Sequence, residues 1–294
     1  MTRATTLLLG AVMAVAVAFM LATAPATAPT PPDGARNVAN GETVFHIAGC
    51  ASCHAASGAE GATKLILSGG QRFPTDFGVF VAPNISSHPE AGIGAWSEAT
   101  FINAVLNGVS PDGQHYYPAF PYASYARMTL RDAADLWAFF QTLPASETPS
   151  APSEVGFPFN VRRGLGLWKR LNVSASPIAE VDTSDPVLMR GRYLVEGPGH
   201  CGECHTPRGL GGGLKTDAWL TGVPSADGPG RIPALAGSEA EVQDWSDADI
   251  AEYLRSGFTP EYDTAGGSMV DVIANTAQLS DDDRLAIAAY LKSL

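Results

Sequence analysis

Two five-residue runs, Cys50-Ala51-Ser52-Cys53-His54 and Cys201-Gly202-Glu203-Cys204-His205, use up all four cysteines of the 294-residue chain. Residues three apart share one face of a helix. Two thiols at that spacing can form thioethers with the two vinyl groups of one porphyrin, and the next histidine reaches the iron from the same side. This is the C-x-x-C-H pattern of covalent haem attachment. Other readings fit less well. A zinc site would combine both pairs, but 147 residues separate Cys53 from Cys201. A redox dithiol has no need of a histidine after each copy. Two haem c groups are therefore expected, with Cys50, Cys53, Cys201 and Cys204 as covalent anchors and no thiol left for a disulfide.

The runs lie 151 positions apart, and other features recur near that offset. Asn40-Gly41-Glu42-Thr43-Val44 answers to Arg190-Gly191-Arg192-Tyr193-Leu194, and Pro83 to Pro233. Trp96-Ser97-Glu98-Ala99-Thr100 answers to Trp245-Ser246-Asp247-Ala248-Asp249, and Asn107-Gly108 to Ser256-Gly257. Each copy ends in an apolar segment with Leu143 or Leu294 near its end. The chain reads as a tandem duplication of one mainly α domain. A helix is expected from about Gly41 into the first motif, and its counterpart from near Gly191. Ser97 and Ser246 are good N-caps followed by acids, and Gly108 and Gly257 suit C′ positions. Terminal helices are expected from Thr129 to before Pro144, and from Ser280. The expected division is a leader over 1–26, one domain over 38–144, a linker over 145–185 and a second domain over 186–294.

The N-terminus reads as an export segment. Arg3 precedes an uncharged apolar run from Thr5 to Ala24, and Ala24-Pro25-Ala26 fits small-x-small cleavage. A cleaved signal is the leading reading and a retained anchor the alternative; the run is long for a signal peptide and somewhat short of the roughly 20 apolar residues a spanning helix needs. Either places the rest of the chain in the periplasm, soluble or tethered. The formal charge of −12 excludes nucleic acid as a natural partner and favours basic protein partners.

His54 and His205 supply one axial position each, and the opposite position needs a second donor, usually Met or His. Of six methionines, Met1, Met13 and Met20 lie in the export segment, and Met189 precedes the second motif. Met128, 74 residues after His54, and Met269, 64 residues after His205, remain as distal candidates, one per repeat and at the same place in each. The alternative is that each fills a gap in the core. His115 is the competing distal ligand for the first haem, or a plain loop or interface residue. His46 and His200 belong to the attachment segments, and His88 to a loop.

The loops carry a resemblance. Ala82-Pro83-Asn84-Ile85, Gly92-Ile93-Gly94-Ala95-Trp96-Ser97, His115-Tyr116-Tyr117-Pro118-Ala119-Phe120-Pro121-Tyr122, Tyr125 and Met128 resemble the cytochrome c subunits of bacterial membrane-bound alcohol, aldehyde and gluconate dehydrogenases. Gly191-Arg192-Tyr193-Leu194, Gly199-His200-Cys201 and His205-Thr206-Pro207-Arg208 resemble the second haem domain of that family, and the likeness covers most of 38–294. It implies two class I cytochrome c domains joined by an extended linker, with Met128 and Met269 as axial ligands. It also implies a dehydrogenase subunit as electron donor and a cytochrome, oxidase or quinone as acceptor. The best-known members are longer and carry three haems, whereas two motifs are present here.

Residues 145–152 read as an exposed link. From Gly156 to Leu171 the chain is apolar and basic, with Arg162, Arg163, Lys169 and Arg170 and no acid between Glu154 and Glu180. It reads as a strap whose apolar side packs on both domains, or as a docking element for an acidic partner or a membrane surface. The leading function is electron transfer without a catalytic constellation. The rival is a dihaem enzyme of peroxidase or thiosulfate-oxidising type, which requires an open iron position.

Overall fold

The computed structural model describes residues 3–225 and 230–294. An apolar helix, α1 (Arg3–Ala22), stands apart from the rest with none of its residues buried. The first repeat opens with α2 (Val38–Ile47), capped by Asn37, whose side chain accepts from the Asn40 N–H. Gly49, in the left-handed region at φ 61°, ends it, and the first motif forms its own short helix α3 (Cys50–His54). A hairpin of β1 (Arg72–Thr75) and β2 (Gly78–Val81) follows. Then come α4 (Glu98–Asn107), the short α5 (Tyr122–Tyr125) and α6 (Leu130–Phe140). The linker adds β3 (Glu154–Val155) to the edge of β2 and forms α7 (Leu165–Asn172). The second repeat runs α8 (Pro186–Glu196), the motif helix α9 (Gly202–His205), the strand pair β4 (Val223–Pro224) and β5 (Arg231–Ile232), α10 (Asp247–Ser256), α11 (Met269–Thr276) and α12 (Asp281–Lys292).

The caps read from sequence hold. Ser97, Thr129, Ser246 and Ser280 each accept a backbone N–H three residues on, and Gly108 and Gly257 close their helices at φ 59° and 79°. The leading helices differ from expectation. They begin at Val38 and Pro186, not at Gly41 and Gly191, and the first stops before its motif. The two glycines mark the crossing with the terminal helix instead. A Cβ on Gly41 would sit 2.6 Å from the Asp135 carbonyl carbon and 2.9 Å from Phe139 Cβ; on Gly191, 2.6 Å from the Ala286 carbonyl carbon and 2.8 Å from Tyr290 Cβ. Polar pairs pin each crossing. Asn40 Nδ2 donates to Asp132 and Asp135 at 2.7 and 2.9 Å, and Arg190 makes a two-pronged contact with Asp283 at 2.7 and 2.8 Å.

Each repeat builds its own core. In the first, Phe45, Leu67, Ile102, Leu136 and Phe140 pack together; in the second, Leu194, Trp219, Ile250, Ile287 and Tyr290. The link after Leu143 is exposed as expected but held to the first repeat. Asn84 Nδ2 donates to the carbonyls of Ser146 and Thr148, both at 2.8 Å. The strap meets only in part the expectation that its apolar side packs on both domains: Trp168 packs edge-on against Tyr122 of the first repeat and reaches the second. Lys169 Nζ donates to the Asn107 and Gly108 carbonyls at 2.6 Å and lies over the Tyr122 ring, while Trp168 Nε1 donates to the Gly211 carbonyl at 2.7 Å. Phe157, Phe159, Val161, Leu167 and Leu171 stay exposed.

Candidate haem sites and the interface between them

The two motif histidines are held alike. His54 Nδ1 lies 2.9 Å from the Pro83 carbonyl and His205 Nδ1 2.8 Å from the Pro233 carbonyl. A carbonyl only accepts, so Nδ1 carries the proton and Nε2 is left as the donor nitrogen for a metal. Burial keeps both imidazoles less basic than usual, against the pull of the proline carbonyl. Backbone geometry sets the prolines in place. Gly69 N–H donates to the His54 carbonyl at 2.7 Å and Gly222 N–H to the His205 carbonyl at 2.8 Å. Both glycines have positive φ, and a Cβ there would strike the backbone around Pro83 or Pro233. Sequence reasoning paired the prolines but missed these glycines, whose recurrence beside them was the available signal.

No disulfide joins the four cysteines. Burial pushes the Cys50 and Cys201 thiols up to about 12, the opposite of an activated redox cysteine. Met128 is 5 % exposed in the core that Cys50 packs against. Met269 is half-buried against the core that takes Cys201. The methionines are not at the same place in each repeat, however. Met128 directly precedes the cap Thr129, where the second repeat has Leu279; Met269 is the first residue of α11. A cavity of about 310 Å³ opens beside the first motif, lined by Ala51, Ser52, Ala55, Lys64, Gln71 and Asp271 among others. With a methionine and a motif cysteine on the core of each repeat, and a motif imidazole whose Nε2 is left free of the proline carbonyl, the donor set fits a haem.

The other histidines lie elsewhere, and His115 keeps one buried ring nitrogen, Nδ1, without a hydrogen-bond partner among the described residues. His88 Nδ1 accepts from the Glu90 and Ala91 N–H groups, and His46 lies on α2. His200 meets the Tyr125 ring edge-on at 5.5 Å. His115 is buried, with Nε2 2.9 Å from the Thr23 carbonyl.

The motifs meet each other across the two repeats. Asn275 Nδ2 donates to Ser52 Oγ at 2.8 Å, and Ser124 Oγ donates to Glu203 Oε1 at 2.6 Å. Ser52 and Glu203 are the same position of the two motifs, 151 apart, and Ser124 and Asn275 share that offset. The same contact is thus made in both directions. Between them, a Cβ on Gly49 would lie 3.8 Å from His200 Cε1, again at equivalent positions. Burial raises the Cys53 thiol, and Asp271 and Cys204 of the other repeat add to it. Tyr125 donates to the Ala48 carbonyl at 2.7 Å behind the first motif, and Ile47 joins the second core. Sequence named Cys53, Tyr125, His200 and Cys204 for other reasons, but not the pairing of Ser52 with Asn275 or of Ser124 with Glu203, which no local periodicity marks.

The family model of cytochrome c matches residues 38–144 and again 189–294. A dihaem c-type cytochrome of Cereibacter sphaeroides is 55% identical over 252 residues, covering 86% of this chain and 84% of that protein. The cytochrome c subunit of a quinone alcohol dehydrogenase of Gluconobacter oxydans is 36% identical over 267 residues, covering 87% of this chain but 54% of the relative. The fructose dehydrogenase cytochrome subunit of Gluconobacter japonicus is 34% identical over 273 residues, with 91% and 55% covered. The chain thus spans little more than half the length of these dehydrogenase subunits. Two matched domains, each with its motif, define a mainly α electron-transfer protein with two haem c groups. The chain belongs to the cytochrome c family. The relatives favour a carrier over the dihaem-enzyme alternative.

Proposed function

We propose that the chain is the electron-accepting cytochrome of a membrane dehydrogenase, facing the periplasm, and that it passes electrons on to a cytochrome, oxidase or quinone. Cys50 and Cys53 hold one haem and Cys201 and Cys204 the other. His54 and His205 are the proximal ligands, Met128 and Met269 the distal ones, within domains over 38–144 and 186–294 joined by 145–185. When bound, haem c supplies one-electron exchange between ferrous and ferric iron. The protein's part is to orient the imidazoles through Pro83 and Pro233, to exclude water with the two cores, and to fix one site against the other. The observation that carries the reading is the two-way contact of Ser52 with Asn275 and of Glu203 with Ser124, which packs both motifs at one interface. Rigid adjacency of two carriers is what a relay requires.

The test is the ferric spectrum with added cyanide or carbon monoxide. Wild-type protein should be six-coordinate and low-spin at both irons and bind such ligands poorly. Met128→Ala should lose one haem's share of the methionine–iron charge-transfer band and open that site; Met269→Ala should do so for the other haem alone. A Met128→Ala spectrum identical to wild type would reduce Met128 to packing.

A further inference from the structure

The end of α1 is received in a fitted slot. Thr23, the residue after the helix, is 0 % exposed, although α1 itself is bare. Its carbonyl meets His115 Nε2 at 2.9 Å, and its hydroxyl accepts from Arg163 Nε at 2.8 Å. Arg163 Nη2 donates to the Met20 carbonyl and Arg170 Nε to the Ala22 carbonyl, both at 2.5 Å. Asn103 Nδ2 reaches the Ala26 carbonyl at 3.4 Å. Gly166 completes the slot, since a Cβ there would lie 2.7 Å from Thr23 Cα. Two guanidinium groups and an imidazole thus satisfy the last carbonyls of the helix, at the end where its dipole favours cations.

A leader cut at Ala24 or Ala26 would empty this slot. His115, Arg163 and Arg170 would lose these partners, and Gly166 would lose its nearest neighbour. α1 has 20 residues, a mean hydropathy of 2.3 and no burial against the protein, so it is long enough to cross the hydrocarbon of a bilayer. Gly166, Leu167 and Arg170 lie on one side of α7, and Arg163 sits in the 3-10 turn just before it. The face that grips the helix end therefore also carries Leu167, with Leu171, 84 % exposed, one turn further on. Arg162, beside the slot, lies over the Tyr117 ring. Lys169 is turned inward to α4 and takes no part.

We propose that α1 is retained as a membrane anchor, and that the strap is a collar at its exit. The collar clamps Met20–Thr23 and lays Leu167, Leu171 and the arginines on the bilayer surface, so that the haem domains are held in one orientation and do not swing on a tether. The proposal rests on the export reading given above.

The experiment starts with holoprotein from a periplasm-facing membrane fraction. Intact mass should show two covalent haems and an N-terminus that still contains α1, and the protein should resist a high-salt wash. Soluble holoprotein beginning after Ala24 or Ala26 would overturn the anchor while leaving export intact; protein without covalent haem would overturn export itself. In nanodiscs of mixed phosphatidylcholine and phosphatidylglycerol, amide exchange should be slow over residues 22–26 and 163–171. Arg163→Ala combined with Arg170→Ala, and separately Gly166→Leu, should speed it by about tenfold in both segments while both haems and membrane attachment remain. Unchanged exchange in both variants would overturn the collar.

Discussion

Replacing Gly191 by alanine gives a change whose sign decides between two roles for this residue. In an ordinary helix interior, Gly→Ala stabilises by roughly 0.5–1 kcal/mol, because glycine loses more backbone entropy on folding. At Gly191 the new methyl carbon would lie 2.6 Å from the Ala286 carbonyl carbon and 2.8 Å from Tyr290 Cβ. Carbon atoms pack at about 3.5–4.0 Å, so α8 and α12 must part by about 1 Å, which forfeits up to about half of each contact across the crossing. Overpacking of this kind costs about 1–3 kcal/mol. With the propensity gain set against it, the expected outcome is destabilisation of the second domain by about 2 kcal/mol. That corresponds to a melting shift of roughly 10 °C for a domain of this size. Circular dichroism melts of holoprotein give the measurement, with Gly164→Ala as control, because Gly164 has helical φ and nothing within 4 Å of its Cβ position. If Gly191→Ala raises the melting temperature as the control does, the crossing argument is wrong.

Lys169→Met should cost about 2 kcal/mol, since it removes charged donors from the Asn107 and Gly108 carbonyls; thermal melts check it. Burial holds the Lys169 ammonium down to about 8, below its value in the unfolded chain. The unfolded state therefore binds the extra proton between pH 8 and about 10.4, and this group's contribution to stability rises with pH across that window. Denaturant titrations from pH 7.5 to 10.5 should show that slope in wild type and not in Lys169→Met. Glu196→Ala should be worse, by about 3 kcal/mol or more, because it removes the acceptor of the Ile178 and Ala179 N–H groups and of the Tyr290 O–H, at 2.7, 2.9 and 2.6 Å, leaving Tyr290 only the hydrogen bond it accepts from Trp219. Guanidinium unfolding followed in the haem absorbance reads that loss directly.

What could be read from the chain was what is local or repeated. Ser97, Thr129, Ser246 and Ser280 cap helices through residues three positions away, so a short window of sequence contains the whole interaction. The motifs and the Pro83–Pro233 match survive because duplication writes each of them twice. Gly41 and Gly191 were misplaced as helix starts because a glycine at a helix crossing and a glycine at a boundary look the same without the partner helix. Lys169 was read as a surface cation for a similar reason: its two carbonyl partners lie about sixty residues away in α4. The apparent equivalence of Met128 and Met269 came from both preceding a terminal helix, although Met269 follows its motif histidine by 64 residues and Met128 by 74. In the frame offset by 151, Met128 corresponds to Leu279 and Met269 to Pro118, so the two methionines occupy different positions of the repeat.

The interface explains how such divergence is tolerated. A contact made by equivalent residues in both directions, Ser124 to Glu203 and Asn275 to Ser52, is the signature of an isologous two-fold pair. Gly49 and His200, equivalent positions that face each other, lie between the two contacts. Two copies of a single domain could have met this way before a linker joined them. Away from the contact the repeats differ: β1 and β2 are longer than β4 and β5, and α11 is longer than α5. What had to stay paired was the ground under the motifs. A residue inside each C-x-x-C-H run, the Ser52 or Glu203 position, holds the segment that leads into the other repeat's terminal helix. A change that loosens one motif therefore also loosens the segment before the other repeat's terminal helix.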